Sequence, residues 1–352
     1  MQGTTAQVVD TLRAWLAEAG EPAPLVVETS GSTGRPKRVL LSRRAILASV
    51  RATARRLDAT GTWLLGLPAS YVAGVMVVCR SLVAGREPVL LEEHGSFAEA
   101  AGITPHPSFT SLVPTQLHRL LGSPADTEGL RSCHAVLLGG GPIDPALRAR
   151  AEGAGVRVVA TYGSAETAGG CVYDGYALDG VGLAIGSDGR IRISGPTLFD
   201  GYDGDRELTA RTLVDGWFLT SDAGRLDEDG RLQVLGRMDD VVVSGGVNVP
   251  AAAVAARLRA HPDVAASEVV GVPDQEWGQR VVAFVVVSTG STTEGGSTTQ
   301  GNAAAGLTLE EARDWVAQVH PRAWAPREVV VVDELPLLAN GKVDLMALRA
   351  RA

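Results

Sequence analysis

A run of hydroxyl and glycine residues ahead of a lysine is the segment best suited to chemistry. It comprises Thr29, Ser30, Gly31, Ser32, Thr33 and Gly34; the apolar residues Leu25–Val27 precede it, and Lys37 follows. Small residues let backbone N–H groups converge on phosphate oxygens, hydroxyls donate further hydrogen bonds, and lysine supplies positive charge. The spacing differs from the P-loop, because Arg38 follows the lysine. The segment predicts a phosphate-binding turn between a strand and a helix; the alternative is a flexible glycine-serine turn.

Apolar segments alternate with helical patterns over the first two thirds of the chain. Buried strands are predicted at Leu25–Val27, Trp63–Leu67, Pro88–Leu91, Ser111–Val113, Ala135–Leu138 and Arg157–Thr161. Helices are predicted at Arg43–Leu57, Val72–Val83, Pro114–Leu121 and Pro145–Ala154. This alternation predicts an α/β fold of mixed or parallel sheets covered by helices. After Ile185, Asp-Gly pairs between short apolar runs predict the hairpins of a small β-subdomain.

A separate α+β module is predicted after Asp240. Its elements are the strand VVVSG, strands near Val269 and over Val281–Val287 and Glu328–Val332, and helices over Pro250–Ala260 and Leu309–Val319. The module has the usual size of a domain. We therefore divide the chain into a large N-terminal domain, residues 1–238, and a small C-terminal domain, residues 239–352.

Composition and charge exclude several classes of protein. Of the 352 residues, 45% are hydrophobic, which indicates a globular fold. The net charge of −8, without a long basic tract, argues against nucleic-acid binding. Three widely spaced cysteines fit neither a zinc site nor a disulfide framework. Because no apolar run approaches the roughly 20 residues of a membrane helix, we expect a cytoplasmic protein without a membrane span. A homo-oligomer is compatible with the sequence.

Seven motifs stand in a fixed order from Thr29 to the end of the chain. They are the phosphate-turn segment LVVETSGSTGRPKRVLLS, then LPASYVAG, TYGSAET, TSDAGRLDEDG, GRMDD, SGGVNV and NGKVD. Together they resemble the adenylate-forming superfamily, which includes acyl- and aryl-CoA ligases, luciferases and peptide-synthetase adenylation domains. The resemblance implies ATP, Mg²⁺ and coenzyme A, and a mobile C-terminal domain that rotates between two half-reactions.

The resemblance also implies roles for individual residues. Thr29 to Gly34 and Lys37 would hold the phosphates, Glu166 would be the catalytic magnesium ligand, and Lys342 would be the catalytic lysine of the mobile domain. The nucleoside would contact Gly139, Gly140, Gly141, Tyr162, Gly163, Asp222 and Arg237. The hinge would be Asp239, and the pantetheine tunnel would be lined by Ser244, Gly245 and Gly246. The alternatives are that Glu166 is an exposed loop glutamate and that Lys342 is an exposed turn lysine. The remaining residues would then belong to ordinary turns and hairpins.

Within the superfamily, the closest resemblance is to the o-succinylbenzoate–CoA ligases of menaquinone biosynthesis. It rests on the short chain, SLVPTQLHRLL, TYGSAETAGGCVYDG, and Arg80 in YVAGVMVVCRSL. It implies that Arg80 faces o-succinylbenzoate, a dicarboxylate whose aliphatic carboxyl reacts while its aromatic carboxylate needs a fixed cation. The alternative is an exposed arginine at a helix end. The same pocket would include Tyr71, which replaces a frequent histidine, and Ser164, Thr167, Gly169 and Gly170.

Other functions remain compatible with the motifs. The chain could be another aryl- or acyl-CoA ligase, an adenylating enzyme that delivers to a carrier protein, or a nucleotide-binding module without catalysis. The presence of both Glu166 and Lys342 argues against the last of these.

Overall fold

The computed structural model describes residues 3–29, 36–238, 240–288, 307–338, 341 and 343–352. They form two compact units. The first contains Met1–Thr220 and Arg225–Gln233, and the second contains Ser221–Gly224, Val234–Leu338 and Val343–Ala352. The units divide inside a β-hairpin that ends just before the predicted domain boundary at residues 238 and 239.

The first unit is an α/β structure, as predicted. Its helices are α1 Thr5–Ala17, α2 Arg43–Leu57, α3 Val72–Val83, α4 Phe97–Ile103, α5 Pro114–Leu120, α6 Pro124–Ser132, α7 Pro145–Gly153 and α8 Arg206–Thr212. Its strands begin with β1 Leu25–Glu28, β2 Arg38–Leu41, β3 Thr62–Leu65, β4 Val89–Leu90, β5 Ser108–Leu112, β6 Ala135–Leu138, β7 Val158–Ser164, β8 Gly169–Tyr173 and β9 Tyr176–Ala177. They continue with β10 Gly182–Ile185, β11 Arg190–Ser194, β12 Gly201–Tyr202 and β13 Leu213–Val214. Strands β14 Trp217–Leu226 and β15 Leu232–Arg237 are divided between the two units.

The main sheet of the first unit has the strand order β4-β3-β5-β6-β7-β8-β9. Strands β4 to β7 are parallel, and β8 and β9 continue the sheet in antiparallel pairing. Every residue of β3, β5 and β6 is buried, because helices cover both faces of a parallel sheet. The strand order reverses at β3, because β4 lies on one side of β3 and the next strand in the chain, β5, lies on the other side. Open α/β sheets bind ligands outside the carboxyl ends of strands near such a reversal.

The phosphate-turn segment joins two strands rather than a strand and a helix. Strand β2 pairs antiparallel with β1 and with β12, and α2 begins only after its N-cap, Ser42. No strand was predicted between Lys37 and the helix at Arg43–Leu57, so the prediction missed β2, whereas the helix begins where it was predicted. Arg38–Leu41 alternates between exposed and buried positions, which suits a sheet face, and Val39 and Leu41 enter the core. A second small sheet has the order β10-β11-β14-β13, with β15 beside β14.

The second unit is the predicted α+β module. Its elements are β16 Val241–Ser244, β17 Val247–Pro250, α9 Ala251–Arg259, β18 Val264–Asp274, β19 Gly278–Val287, α10 Leu309–Ala317, β20 Glu328–Val331 and α11 Leu345–Arg351. The sheet order is β17-β16-β19-β18, and β20 lies parallel to β19. Alternate residues of β19 face opposite sides: Val281 and Val285 pack with α9 and α10, whereas Phe284 packs with Leu348 of α11.

Within the described residues, no helix combines the length and apolar character needed to cross a bilayer.

The three cysteines are buried free thiols, and we expect them to be unreactive in the folded protein. Burial raises the pKa of Cys79 and Cys171 to about 12 and that of Cys133 to about 11. The thiolate is the reactive form, so it is scarce at pH 8. Ellman's reagent should react slowly with native protein and rapidly with all three thiols after denaturation in guanidinium. Rapid stoichiometric reaction of native protein would contradict this expectation.

Candidate active site

Three groups of predicted site residues follow the carboxyl ends of parallel strands. Tyr71 comes after β3 and is the N-cap of α3; Gly139–Gly141 come directly after β6; Tyr162 to Ser164 form the end of β7. Because β3, β5, β6 and β7 are parallel, these ends lie on the same edge of the sheet. The fold thus brings the predicted adenine and substrate groups to one edge.

Glycines allow very close packing at this edge. A Cβ on Gly163 would lie 2.1 Å from the carbonyl oxygen of Gly169 on the paired strand β8. A Cβ on Gly139 would lie 2.4 Å from Thr161 Oγ1, whereas one on Gly141 would meet no atom within 4 Å. Gly163 and Gly139 are therefore required by the protein's own packing. Gly141 is free of that constraint, as expected if a ligand approaches its backbone.

Alanine substitutions should separate these two kinds of glycine. We expect Gly163→Ala to lower the free energy of unfolding by about 1–3 kcal/mol, because the new methyl group overlaps Gly169. Gly141→Ala should leave stability unchanged and raise the KM for ATP. Thermal unfolding and ATP-dependent kinetics measure both effects. Equal loss of stability in the two variants would contradict this reading.

Hydrogen bonds between Thr29 and Lys37 close the open end of the β1–β2 pair. The Thr29 N–H donates to the Lys37 carbonyl at 2.9 Å, and the Lys37 N–H donates to Thr29 Oγ1 at 3.3 Å. The predicted phosphate-turn residues Ser30, Gly31, Ser32, Thr33 and Gly34 lie outside the described residues. Lys37 Nζ is 5.4 Å from the centroid of the Tyr202 ring. This cation–π contact directs the ammonium group toward Tyr202.

Glu166 is buried and hydrogen-bonded to the same tyrosine. Its side chain is 7% exposed, and Tyr202 Oη donates to Glu166 Oε1 at 2.8 Å. Burial and the nearby Glu166 carboxylate raise the pKa of Tyr202 well above its usual range, so the phenol keeps the proton that it donates. Tyr202 thus lies between the two charged groups that the sequence assigned to phosphate and magnesium.

The turn that carries Glu166 is held by helix α2. Ala168, directly after the 3₁₀ turn Ala165–Thr167, has φ of 48°, a left-handed conformation that is costly for alanine. Ser49 Oγ of α2 donates to the Ala168 carbonyl at 2.9 Å. Because Ser49 is fully buried, this hydrogen bond is shielded from water, and it stabilises the strained turn.

Arg80 is buried near the end of α3, so the alternative of a solvent-exposed arginine is wrong. It is 6% exposed, its guanidinium carbon lies 5.0 Å from the Trp63 ring centroid, and Nη2 donates to Tyr173 Oη at 3.4 Å. Tyr173 Oη is also within 3.0 Å of Thr53 Oγ1. Arg80 Nε has no hydrogen-bond partner, and no carboxylate of the described residues forms an ion pair with Arg80. A buried guanidinium without an anion is an unsatisfied charge.

The remaining predicted substrate residues surround the end of β7 and the start of β8. Ser164 Oγ is buried without a hydrogen-bond partner. Gly169 pairs with Ser164 and approaches Met76, one turn before Arg80 on α3. Thr167 is fully buried, and its hydroxyl accepts from the Ser164 N–H at 2.9 Å and donates to the Gly169 carbonyl at 2.7 Å. Thr167 therefore fixes the turn, and Ser164 offers the unsatisfied hydroxyl.

In the second unit, Asp222 and Arg237 lie on the paired strands β14 and β15. The Met238 N–H donates to the Ser221 carbonyl at 2.7 Å, which closes this end of the hairpin beside both residues. Arg237 Nε is 3.7 Å from Asp240 Oδ2. The predicted hinge, Asp239, and the predicted catalytic lysine, Lys342, lie outside the described residues.

Ser244, Gly245 and Gly246 form the end of β16 and the turn to β17. Gly245 and Gly246 have φ of 58° and 78°, the conformation that a two-residue hairpin turn requires. A Cβ on Gly245 would lie 2.6 Å from the Trp277 ring, so glycine is also required for packing. Arg327 stacks on the Trp277 ring, with its guanidinium carbon 3.3 Å from the ring centroid. Ser244 is buried and accepts from Arg327 Nε at 3.4 Å.

Sequence reasoning missed the tyrosines that contact the charged site residues. Tyr202 meets Glu166 and Lys37, and Tyr173 meets Arg80. Tyr173 lies in a segment that carried the family resemblance, but spacing did not indicate its partner. Tyr202 belongs to a two-residue strand, and no local pattern marked it.

Comparisons with known proteins agree over nearly the whole chain. The model for "AMP-binding enzyme" matches residues 23–193, and the model for "AMP-binding enzyme C-terminal domain" matches residues 253–342. A probable 2-succinylbenzoate–CoA ligase from Mycobacterium tuberculosis strain H37Rv is 41% identical over 340 residues, covering 93% of this chain and 84% of the relative.

Solved structures of two proteins have the same fold. The o-succinylbenzoate CoA synthetase MenE from Bacillus subtilis, in complex with the acyl-adenylate intermediate OSB-AMP, has a TM-score of 0.76, 27% identity and coverage of 93% of this chain and 69% of that one. MenE in complex with ATP and magnesium ion has a TM-score of 0.74. ATP-bound MatB from Rhodopseudomonas palustris has a TM-score of 0.78, 25% identity and coverage of 93% and 67%.

Proposed function

The chain belongs to the AMP-binding enzyme family, and we propose that it is an o-succinylbenzoate–CoA ligase. The reaction converts o-succinylbenzoate, ATP and CoA to o-succinylbenzoyl-CoA, AMP and pyrophosphate. The observation that carries the choice of acid is Arg80, a buried guanidinium without an anionic partner in the described part of the chain. Backbone similarity alone does not select the acid, because MatB and MenE resemble the chain equally well.

The first half-reaction forms an acyl-adenylate. A carboxylate oxygen of the succinyl arm attacks the α-phosphorus of ATP, and the bond to the bridging oxygen of the β-phosphate breaks as pyrophosphate leaves. Negative charge moves onto the leaving group, so catalysis depends on positioned cations and N–H donors. In this proposal, the phosphates are bound by Lys37 and by the segment from Thr29 to Gly34. Lys342 contacts the attacking carboxylate and the α-phosphate.

Magnesium fits the residues around Glu166. Mg²⁺ prefers oxygen ligands and is held in nucleotide enzymes by one or two carboxylates together with substrate phosphates and water. Glu166 provides a buried carboxylate, and the described residues contain no cluster of three or more His, Cys, Asp or Glu that would form an all-protein metal site. When bound, Mg²⁺ would neutralise phosphate charge. Glu166 would hold the ion, and its Oε1 accepts a hydrogen bond from Tyr202.

The acyl pocket suits a dicarboxylate. Arg80 approaches β8 at Tyr173, while Ser164 pairs with Gly169 at the opposite end of the same strand. In this proposal the cationic end of the pocket lies at Arg80, and the reacting end lies near Glu166. The ring carboxylate pairs with Arg80, and the succinyl carboxylate reaches the reacting end near Ser164. Trp63 and Tyr173 provide aromatic surface beside the guanidinium.

The second half-reaction transfers the acyl group to CoA. The thiol sulfur attacks the acyl carbon, AMP leaves, and the thiol proton is lost. Gly245 and Gly246 form a turn without side chains, which suits the close passage of a pantetheine arm. In this proposal the C-terminal domain rotates at Asp239 between the two half-reactions. The rotation withdraws Lys342 from the reacting centre and brings the Gly245–Gly246 turn to it. We also propose a cytoplasmic location, where the free buried thiols stay reduced.

Product analysis tests the proposal. Purified protein incubated with ATP, Mg²⁺, CoA and o-succinylbenzoate should yield AMP, pyrophosphate and o-succinylbenzoyl-CoA in equal amounts, as measured by chromatography and mass spectrometry. A panel of malonate, benzoate and 4-oxo-4-phenylbutanoate provides the comparison. Release of ADP would contradict adenylation, and preference for malonate or benzoate would contradict the assigned acid.

A further inference from the structure

Tyr202 joins Glu166 to the strands beside the phosphate-binding turn. Its hydroxyl donates to Glu166 Oε1 at 2.8 Å, and its ring centroid lies 5.4 Å from Lys37 Nζ. Tyr202 is 5% exposed, so the hydrogen bond is protected from water. One side chain therefore contacts both charged groups that the proposed function assigns to Mg²⁺·ATP.

The position of Tyr202 is fixed from several directions. It pairs with Val39 of β2, the strand that follows Lys37, and its N–H donates to Thr209 Oγ1 at 2.9 Å. Its ring meets Phe199 edge-on at a centroid distance of 5.0 Å. The Phe199 N–H in turn donates to the backbone carbonyl of Glu166 at 2.9 Å. The short segment from Phe199 to Tyr202 thus holds both the backbone and the side chain of Glu166.

We propose that Tyr202 is a positioning residue that orients the Glu166 carboxylate for Mg²⁺ in the nucleotide complex. The proposal rests on the proposed function. A carboxylate has about four lone-pair sites, and the bond from Tyr202 occupies one of them on Oε1. It restricts rotation of the carboxylate, so that the remaining sites keep a fixed direction. Hydrogen bonds to a ligating carboxylate commonly tune metal affinity in this way.

Tyr202→Phe tests this role with little change in packing. The variant keeps the ring beside Lys37 and Phe199 and removes only the hydroxyl. We expect the affinity for Mn²⁺, used as the probe together with a non-hydrolysable ATP analogue, to fall about 10–100-fold. Electron paramagnetic resonance of free Mn²⁺ measures this affinity. Binding of the same analogue without metal should stay at the wild-type value, because Lys37 keeps its contact.

Two further variants make the result decisive. Thr104→Val removes another buried hydroxyl from the first unit and should leave Mn²⁺ affinity unchanged. Glu166→Gln should weaken Mn²⁺ binding, and adding Tyr202→Phe to it should cause no further loss, because the two groups act as one unit. This cycle remains informative if Tyr202→Phe lowers the unfolding temperature.

The outcomes separate this proposal from the proposed function. Wild-type Mn²⁺ affinity in Tyr202→Phe, together with weak binding in Glu166→Gln, overturns the role of Tyr202 and leaves the function standing. Additive losses in the double variant, or an equal loss of metal-free nucleotide binding, also overturn it. Absence of Mn²⁺·nucleotide binding by the wild-type protein overturns both.

Discussion

Glu166→Gln should reduce kcat/KM for adenylate formation roughly 10²–10³-fold, the effect of removing one preorganised charge-stabilising group. Glutamine has nearly the same shape, and its amide oxygen still accepts the hydrogen bond from Tyr202, so packing is kept. In the proposed role, what is lost is the negative charge that would hold the cation at the phosphates. Initial rates of pyrophosphate release at saturating o-succinylbenzoate, over a range of Mg²⁺ concentrations, measure the change.

Glu92→Gln is the matched control for charge removal. Glu92 is an exposed residue of the first unit, so its neutralisation should leave the rate and its Mg²⁺ dependence unchanged. If Glu166→Gln retained wild-type rates at low Mg²⁺ concentration, Glu166 would not be the magnesium ligand.

Arg80→Met should cause a large, substrate-specific loss. Removing one partner of a buried charge pair costs about 2–5 kcal/mol, so kcat/KM for o-succinylbenzoate should fall by about 1.5 to 3.5 orders of magnitude. The rate with 4-oxo-4-phenylbutanoate, which lacks the ring carboxylate, should change little. The ratio of the two kcat/KM values isolates the interaction between Arg80 and the ring carboxylate. Arg51→Met, at an exposed position on α2, is the control and should leave the ratio unchanged.

The same substitution should stabilise the free protein. Arg80 is buried without a carboxylate partner in the described residues, so its guanidinium loses hydration without recovering an ion pair. Methionine fills similar space with apolar atoms. We expect the free energy of unfolding to rise by on the order of 1 kcal/mol or more, visible as a higher melting temperature. A lower melting temperature with unchanged substrate preference would assign Arg80 to the core rather than to the pocket.

Local sequence patterns predicted many elements closely. The bounds of α2, α3 and β6 match the structure residue for residue. Ser42 caps α2, and the fully apolar β6 lies in the middle of a parallel sheet, so local signals and tertiary structure agree there. Of the residues named by the family resemblance, Tyr71 follows β3, Gly139 to Gly141 follow β6, and Tyr162 to Ser164 end β7, three strands of that parallel sheet.

The contacts that organise the site were not available from local patterns. Strand β2 has four residues, and its pairing with β1 depends on closure across the phosphate turn. Tyr202 and Glu166 are 36 residues apart and meet because β12 pairs with β2. Arg80 is another case: α3 is buried on all sides from Gly74 to Ser81, so helical periodicity could not show whether the arginine faces solvent or a pocket.

The exchange of radiolabelled pyrophosphate into ATP, without CoA, tests the central claim most directly. It detects reversible adenylate formation alone, without the CoA-dependent half-reaction. We predict exchange that requires o-succinylbenzoate and Mg²⁺, disappears in Lys342→Ala, and is weak with 4-oxo-4-phenylbutanoate. Exchange that is absent with o-succinylbenzoate, or that persists undiminished in Lys342→Ala, would contradict the account.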